Sequence, residues 1–196
     1  MKLFYSPTSP SARKVRIVID EIGIPGVRPI LVNPFADPGE LNVHNPLDKV
    51  PALVTDAGET LYDSPVICEY LDAQFGGQLF PEGAARWPAL RTQALTDGIM
   101  DAVVAIRLES LRPPERRLEP TRSLAAVQRG LAAIAPSPPN PLEHGFTIAH
   151  IGVICALGYL DLRLSAHPWR EAHPNLGAWY ATMLKRPSVH LTRHPN

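Results

Sequence analysis

The chain is poor in cysteine. Its two cysteines, Cys68 and Cys155, lie far apart among apolar residues of helical pattern. We interpret both as buried thiols in a reducing compartment, because structural disulfides persist mainly in oxidising ones. Neither a disulfide nor a metal is needed for stability, since a chain of 196 residues buries roughly 70% of its unfolded surface on folding.

The chain also lacks an excess of either charge and a long apolar run. Its 19 basic residues balance 19 acidic ones, which gives no electrostatic case for binding nucleic acid or an anionic membrane. The first seven residues have no apolar signal-peptide core, and the longest apolar stretch, residues 148–160, is too short to span a bilayer and contains His150. We therefore expect a soluble cytoplasmic protein without nucleic-acid or membrane partners.

Apolar periodicity divides the chain into an α/β part and a helical part. A glycine-rich segment, residues 76–83, marks the boundary. Before it, alternating and helical patterns predict a compact α/β unit, and after it only helical patterns occur. Strands are predicted at 2–5, 28–32, 52–55 and 60–62, and helices at about 12–22, 64–75, 87–111, 120–135, 148–160 and 174–185.

The first helix follows a loop rich in small hydroxyls and proline, residues 8–11. Val15, Val18 and Ile22 form an apolar stripe at helical spacing. The charged side chains, among them Arg13 and Lys14, are expected on the opposite, polar face of this helix.

The most informative pattern is Val50-Pro51 before a short strand, followed by Asp63-Ser64 before a helix. Pro51 suits the first position of a strand and a cis peptide bond in a tight turn. Such a turn leaves the Val50 backbone free to pair with an extended, peptide-like ligand. Ser64 is predicted as the helix N-cap, where backbone N–H groups and the helix dipole attract anions. The pattern favours a small peptide ligand that carries a carboxylate.

Two histidines near the end of the sequence, His190 and His194, are four residues apart. Without a third ligand they make a poor metal site, so we interpret them as solvated. No metal is expected in this protein.

Several motifs occur together along the whole chain, and in this order they resemble the cytosolic glutathione S-transferases of bacteria, especially serine-type members similar to the beta and zeta classes. The resemblance implies a thioredoxin-like, glutathione-binding domain over residues 1–76. It also implies an all-helical domain over residues 84–196 that contributes the electrophile site. The motifs are TSPSARKVRI at 8–17, NPLDKVPAL at 45–53, LYDSPVICEYL at 61–71, FTIA at 146–149, AHPNL at 172–176 and RPS at 186–188.

The resemblance implies glutathione as the co-substrate and a hydroxyl that stabilises its thiolate. Ser9 matches the position of the catalytic hydroxyl in serine-type relatives, and Ser11 the position where some relatives carry a cysteine. Tyr5 is a further candidate. The alternative is that Ser9 or Ser11 only caps the first helix, and the two roles are compatible, since one hydroxyl can cap while the other faces the ligand.

The resemblance also assigns the glutathione contacts. The Val50 backbone would pair with the cysteinyl unit, with Pro51 in cis, and Ser64 would bind the γ-glutamyl carboxylate. Asp63 would face the ligand's ammonium group, unless Asp63 and Ser64 serve only as helix caps. Lys49 is expected either to contact the glycyl carboxylate or to remain solvated.

On the long helix, Asp97 and Asp101 are four residues apart. An acid in this region reaches across a dimer interface to the ligand's amine in some relatives, but we favour a solvated polar face. Nearby residues fit a lining of the electrophile cleft, core packing or dimer contacts equally well, and they stay unassigned: Met100, Val103, Val104 and Arg107.

One position departs from the family pattern. The family usually carries an aspartate three residues after the cap of the central helix, and here that place is His150, three residues after Thr147. An aspartate there completes a capping box. We expect a neutral histidine to be a poor substitute, at a cost of about 1 kcal/mol in stability.

These inferences lead to a glutathione transferase, used in detoxification, that conjugates glutathione to a small hydrophobic electrophile. The resemblance implies a homodimer. Peroxidase, isomerase and lyase activities share the same glutathione site and stay open. The alternative is a non-catalytic protein of the same fold used for binding or interaction, as in stringent-starvation-type regulators. A thiol-disulfide oxidoreductase is disfavoured, because no cysteine precedes Cys68.

Overall fold

The computed structural model describes residues 1–36 and 39–195. Its four-stranded sheet consists of β1 (Lys2–Tyr5), β2 (Arg28–Leu31), β3 (Ala52–Val54) and β4 (Thr60–Leu61). The strand order is β2-β1-β3-β4. β1 is parallel to β2 and antiparallel to β3, and β3 is antiparallel to β4. The strands lie where the sequence predicts them.

The helices fall into two groups. Those of the sheet-containing part are α1 (Pro10–Ile22), α2 (Gly39–His44) and α3 (Ser64–Phe75). The predicted architecture, a thioredoxin-like sheet-and-helix domain followed by an all-helical domain, is confirmed. The second domain contains α4 (Arg86–Ser110), α5 (Thr121–Ile134), α6 (Pro141–His144), α7 (Ile148–Arg163), α8 (Trp169–Ala172), α9 (Pro174–Met183) and α10 (Pro187–Leu191).

Helix α7 forms the centre of the core. Each residue from Ile148 to Leu160 is buried, as the apolar sequence of this segment predicts. The helix packs against α4 and also against α1. Two glycines allow these close approaches, because a side chain at Gly152 would collide with Thr96 and one at Gly158 would collide with the Arg13 guanidinium.

The prediction that Arg13 and Lys14 lie on an exposed face of α1 is wrong, since both side chains are buried. Helix α1 packs against α3 on one side and against α7 and α10 of the helical domain on the other. Arg13 donates from Nη2 to the Val189 carbonyl at 3.2 Å, and Lys14 Nζ lies 2.6 Å from Asp97 Oδ1 on α4. The other domain thus supplies one polar partner to each of these buried charged groups, which the isolated helix would expose.

A third charged contact joins the two domains near the end of α1. Glu21 accepts hydrogen bonds from Arg186, at 3.1 Å from Nε and 2.6 Å from Nη2, and from the Ser188 hydroxyl. The Arg186 guanidinium also lies over the Phe146 ring, 3.9 Å from its centroid. These interactions connect the first helix of the chain to the segment between α9 and α10 and to the first turn of α10.

The expectation that His150 is a poor capping residue is wrong. The Thr147 backbone N–H donates to His150 Nδ1 at 3.0 Å, which is the bond that a carboxylate makes in a capping box. A neutral imidazole accepts such a bond through its unprotonated nitrogen. Burial, and then the Arg186 charge, lower the pKa of His150 to about 4, so the ring stays neutral at physiological pH.

Because His150 caps α7 in its neutral form, we expect the stability of the protein to depend on pH in the acid range. Between pH 6.5 and about 4 the unfolded chain binds a proton that folded His150 does not. The free energy of unfolding should therefore decline as the pH falls through this range, by up to about 3 kcal/mol from this residue. Urea unfolding of wild type and His150→Asp at pH 7 and pH 5 measures the effect, because aspartate makes the same bond but titrates below this range. Equal declines in the two proteins would rule out His150 as the cause.

No helix within residues 1–36 and 39–195 has both the length and the apolar character needed to cross a membrane.

Candidate functional site

The register of the sheet brings three loops to one edge. In the antiparallel pair β1–β3, Phe4 lies opposite Ala52, so the end of β1 lies beside the start of β3. In the pair β3–β4, Leu53 lies opposite Leu61, so the end of β4 lies at the same edge. The segments that leave or enter the strands there are residues 6–9, 49–51 and 62–64, which contain the predicted site residues except Tyr5 and Ser11.

Ser9 is the N-cap of α1. Its backbone is extended, with φ −79° and ψ 122°, and its Oγ accepts a hydrogen bond from the Ala12 N–H at 3.2 Å. The capping role that the sequence left open is therefore real. It does not use the hydroxyl proton, which stays available to a ligand. Ser9 is half-buried at the sheet edge.

The other two hydroxyl candidates also lie at this end of the sheet-containing domain. Ser11 occupies the second position of α1 and is half-buried. Tyr5 ends β1, and the Arg16 guanidinium lies over its ring, 5.2 Å from the centroid. Of the three, Ser9 is the N-cap, immediately before the first turn of α1, where the positive end of the helix dipole lies.

The Val50–Pro51 peptide bond is cis, as predicted. Within the described part of the chain, the Val50 N–H and C=O make no backbone hydrogen bond, so both groups can pair with a ligand. Pro51 is buried and Lys49 is exposed.

Sequence reasoning missed Asn45, which supports this turn. Its side chain is buried, donates from Nδ2 to the Lys49 carbonyl at 2.7 Å and accepts from the Leu47 N–H at 3.1 Å. It thereby fixes the backbone that precedes Val50. The Asn45-Pro46 dipeptide is a turn signal that could have identified it.

At the start of α3, the predicted cap is displaced by one residue. Asp63, rather than Ser64, is the N-cap, and it makes no capping hydrogen bond through its side chain. Ser64 is the first helical residue and is only 3% exposed, and its hydroxyl makes no hydrogen bond to any residue that the structure describes. Asp63 is exposed at the edge. The alternative in which these residues serve as side-chain caps therefore loses its support.

The two acids on α4 differ in environment. The expected solvated face is wrong for Asp97, because its carboxylate is paired with buried Lys14. Burial raises the pKa of Asp97, and the Lys14 charge offsets part of this rise. Asp101, one turn later, is exposed as expected.

The unassigned residues of α4 also separate into two groups. Met100 and Val103 are buried in the core. Val104 is half-buried and Arg107 exposed, so of these four only they can face a cleft.

Two family models match this chain. The glutathione S-transferase N-terminal domain matches residues 3–79, and the glutathione S-transferase C-terminal domain matches residues 121–182. An uncharacterised GST-like protein of Escherichia coli strain K12, YibF, is 34% identical over 208 residues, which cover 100% of this chain and 99% of that protein. The chain belongs to the glutathione S-transferase family.

Solved structures of this family share the fold. A glutathione transferase family member from Pseudomonas fluorescens Pf-5, crystallised with bound glutathione, is 42% identical with a TM-score of 0.92, over 100% of this chain and 99% of that one. A second structure from the same organism, with bound S-(propanoic acid)-glutathione, is 42% identical with a TM-score of 0.88, over 99% of each chain.

The cysteines of this glutathione S-transferase are free and fully buried, as predicted. Burial raises the pKa of Cys68 to about 12 and that of Cys155 to about 11. A thiol attacks as its thiolate, so neither residue is suited to disulfide exchange. This agrees with the sequence analysis, which disfavours a thiol-disulfide oxidoreductase.

The prediction that both C-terminal histidines are solvated is half wrong. His190 is exposed, but His194 is half-buried and its Nδ1 lies 3.0 Å from the Pro7 carbonyl. Burial lowers the pKa of His194 to about 4. Among the residues that the structure describes, no three histidine, cysteine or acidic side chains group as a metal site would require.

Proposed function

We propose that this protein is a serine-type glutathione transferase that conjugates glutathione to a small hydrophobic electrophile. The observation that carries the proposal is the sheet register, since it gathers the loops of Ser9, Val50 and Ser64 at one edge. The relatives with bound glutathione and with an S-substituted glutathione support the choice of ligand.

Glutathione would lie along this edge as a short extended strand. The free N–H and C=O of Val50 would pair with the cysteinyl unit, next to the cis bond to Pro51. The Ser64 hydroxyl and the N–H groups that open α3 would bind the γ-glutamyl carboxylate, because a helix N-terminus attracts anions. Exposed Asp63 would face the ammonium group, and exposed Lys49, which precedes Val50, would contact the glycyl carboxylate.

Ser9 would activate the thiol. A free thiol has a pKa near 8.5, so only a minority is ionised at neutral pH. A hydroxyl donor at the start of α1, together with the helix dipole, favours the thiolate. Ser11 is the second candidate for this role, and the thiolate then attacks the electrophile in a site that holds both reactants close together.

The remaining assignments follow the same proposal. Residues 1–76 would bind glutathione and residues 84–196 would contribute the electrophile site, with Val104 and Arg107 as the candidates from α4. The protein would act as a cytoplasmic homodimer in detoxification, without a metal.

The test is calorimetry of glutathione binding, followed by an assay with a general aryl halide acceptor in the same preparation. Binding with turnover is the expected result. Binding without turnover would favour a non-catalytic member of the fold, and no binding would contradict the site.

Ser64→Ala provides a direct check on the glutathione contacts. Removal of a hydrogen bond to a charged group costs about 1.5–3 kcal/mol, so the affinity for glutathione should fall by about 10- to 100-fold. Thr60 begins β4, and its hydroxyl lies 3.2 Å from His44 Nδ1 rather than at the proposed carboxylate site, so Thr60→Ala offers a control that should leave the affinity unchanged. Equal affinities for wild type and Ser64→Ala would contradict the assignment.

A further inference from the structure

We propose that His194 is a positioning residue that holds the loop of Ser6 to Ser9 in place from the far end of the chain. The inference rests on the proposed function, because the loop ends at the hydroxyl assigned to thiol activation. The contact joins residues 187 positions apart in sequence, and neither domain alone contains both partners.

The loop has little support of its own. It is a turn closed by the Ser9 N–H donating to the Ser6 carbonyl at 3.0 Å, with Pro7 at its second position. The side chains of Ser6 and Thr8 lie 3.3 Å apart. The Pro7 carbonyl takes no part in the hydrogen bond that closes the turn, and the bond that it accepts comes from His194 at 3.0 Å.

The geometry fixes the tautomer of His194. A carbonyl only accepts hydrogen bonds, so Nδ1 carries the proton that is donated to Pro7. Nε2 is then unprotonated, and it is buried without a hydrogen-bond partner among the described residues. The ring therefore makes one polar contact, and that contact is with the loop.

The segment that carries His194 contacts both α7 and α1. Its ring packs against Tyr159 of α7, with centroids 5.9 Å apart. Before it, the Thr192 hydroxyl donates to the Ser188 carbonyl at 2.8 Å, and Arg13 of α1 holds the Val189 carbonyl. The histidine is thus held between α1 and α7, which gives it a fixed point from which to position Pro7.

Burial keeps the His194 ring neutral, and the positive charges around it act in the same direction. Arg13 and Arg16 face it from α1, and Arg163 faces it from α7. Tyr159 is the titratable group in ring contact, and burial raises its pKa. Protonation of the ring would place a fourth cation among three arginines, so its hydrogen bond is constant over the pH range of a conjugation assay.

Loss of this contact should act on turnover more than on binding. Val50 and Ser64, which would hold glutathione, lie on other loops, whereas Ser9 follows Pro7 by two residues. Small misplacements of a catalytic group cost large factors in rate. We expect His194→Ala to lower kcat about tenfold, with KM for glutathione within about twofold, and to shift the ionisation of bound glutathione to higher pH.

Three variants test the proposal: His194→Ala, His194→Asn and the control His190→Ala. Asparagine can donate from its amide nitrogen to the same carbonyl, so it should restore much of kcat. His190 is exposed on α10, so its variant should match wild type. The readouts are kcat, KM for glutathione, the thiolate absorbance of bound glutathione against pH, and amide hydrogen exchange of residues 6–12 and 64–75.

Support requires a lower kcat, a higher thiol pKa and faster exchange confined to residues 6–12 in His194→Ala, with recovery in His194→Asn. An unchanged thiol pKa, or equal acceleration of exchange in both segments, would overturn the positioning role. If wild type binds glutathione but conjugates nothing, the proposed function fails, and the role of His194 in turnover fails with it. The exchange data then show separately whether His194 holds the loop.

Discussion

Replacing Ser9 with alanine is expected to lower the rate of conjugation roughly 10²-fold while the affinity for glutathione stays within about a factor of two. The hydroxyl proton of Ser9 is free, because its capping bond uses the oxygen as an acceptor from Ala12. Donation of that proton to the sulfur would stabilise the thiolate, and the proposed contacts at Val50 and Ser64 would not depend on it. Steady-state kinetics with an aryl halide, together with glutathione calorimetry, measure both quantities.

The loss of the cap has to be separated from the loss of the donor. Ser9→Ala removes both, and the cap alone is worth about 1 kcal/mol of stability. Glycine costs only a few tenths of a kcal/mol at an N-cap, so Ser9→Gly should be almost as stable as wild type yet as inactive as Ser9→Ala. Ser11→Ala makes the same change at the second candidate for thiol activation, and it should retain activity if Ser9 is the donor. Turnover of Ser9→Gly near the wild-type level would contradict the assignment and move attention to Ser11.

Replacing Asp97 with alanine is expected to destabilise the fold by about 3–5 kcal/mol. Lys14 is fully buried and its ammonium group lies 2.6 Å from the Asp97 carboxylate. Removal of that carboxylate leaves a buried cation without its partner, which is far more costly than loss of an exposed ion pair. Since whole domains are stable by only about 5–15 kcal/mol, the variant should unfold at a much lower urea concentration.

Helix α4 offers a matched control for this prediction. Asp101 lies on the same helix, one turn away, and is exposed, so Asp101→Ala should change stability by no more than about 0.5 kcal/mol. The double variant Lys14→Met with Asp97→Leu should recover most of the loss, because an apolar pair leaves no unpaired charge. A similar small loss for Asp97→Ala and Asp101→Ala would show that the pair contributes nothing specific.

Much of the fold could be predicted because the signals are local. The alternation at 52–55 and 60–62 and the turn between them specify a hairpin, and the structure contains β3 and β4 there. The continuous apolar sequence of 148–160 predicts a buried helix, and α7 is buried throughout. The cis bond before Pro51 was predictable because such bonds depend on proline and on the adjacent turn.

The candidate site was predictable only in part. Ser9, Val50 and Ser64 were proposed from short motifs, and the sheet register explains why their loops lie at one edge. Asn45, which holds the turn before Val50, was missed because its contact is made by a side chain within an irregular loop. The sequence predicted Ser64 as the N-cap of α3, but the N-cap is Asp63, one residue earlier. Aspartate and serine suit an N-cap equally well, so the residue types alone could not separate the two positions.

The sequence by itself determined the local elements, the two-part architecture and the family, since these depend on periodicity, turn residues and short motifs. Only the tertiary structure decided which charged and titratable side chains are buried, which partners they have and whether they are ionised. Arg13 and Lys14 follow a polar pattern on α1 yet are buried, because the helical domain supplies a carbonyl and a carboxylate to them. His194 becomes a neutral hydrogen-bonding group because it is buried against a carbonyl from the other end of the chain. His150 bonds locally to Thr147, but its neutrality depends on burial and on the Arg186 charge, which the pattern of α7 alone does not contain.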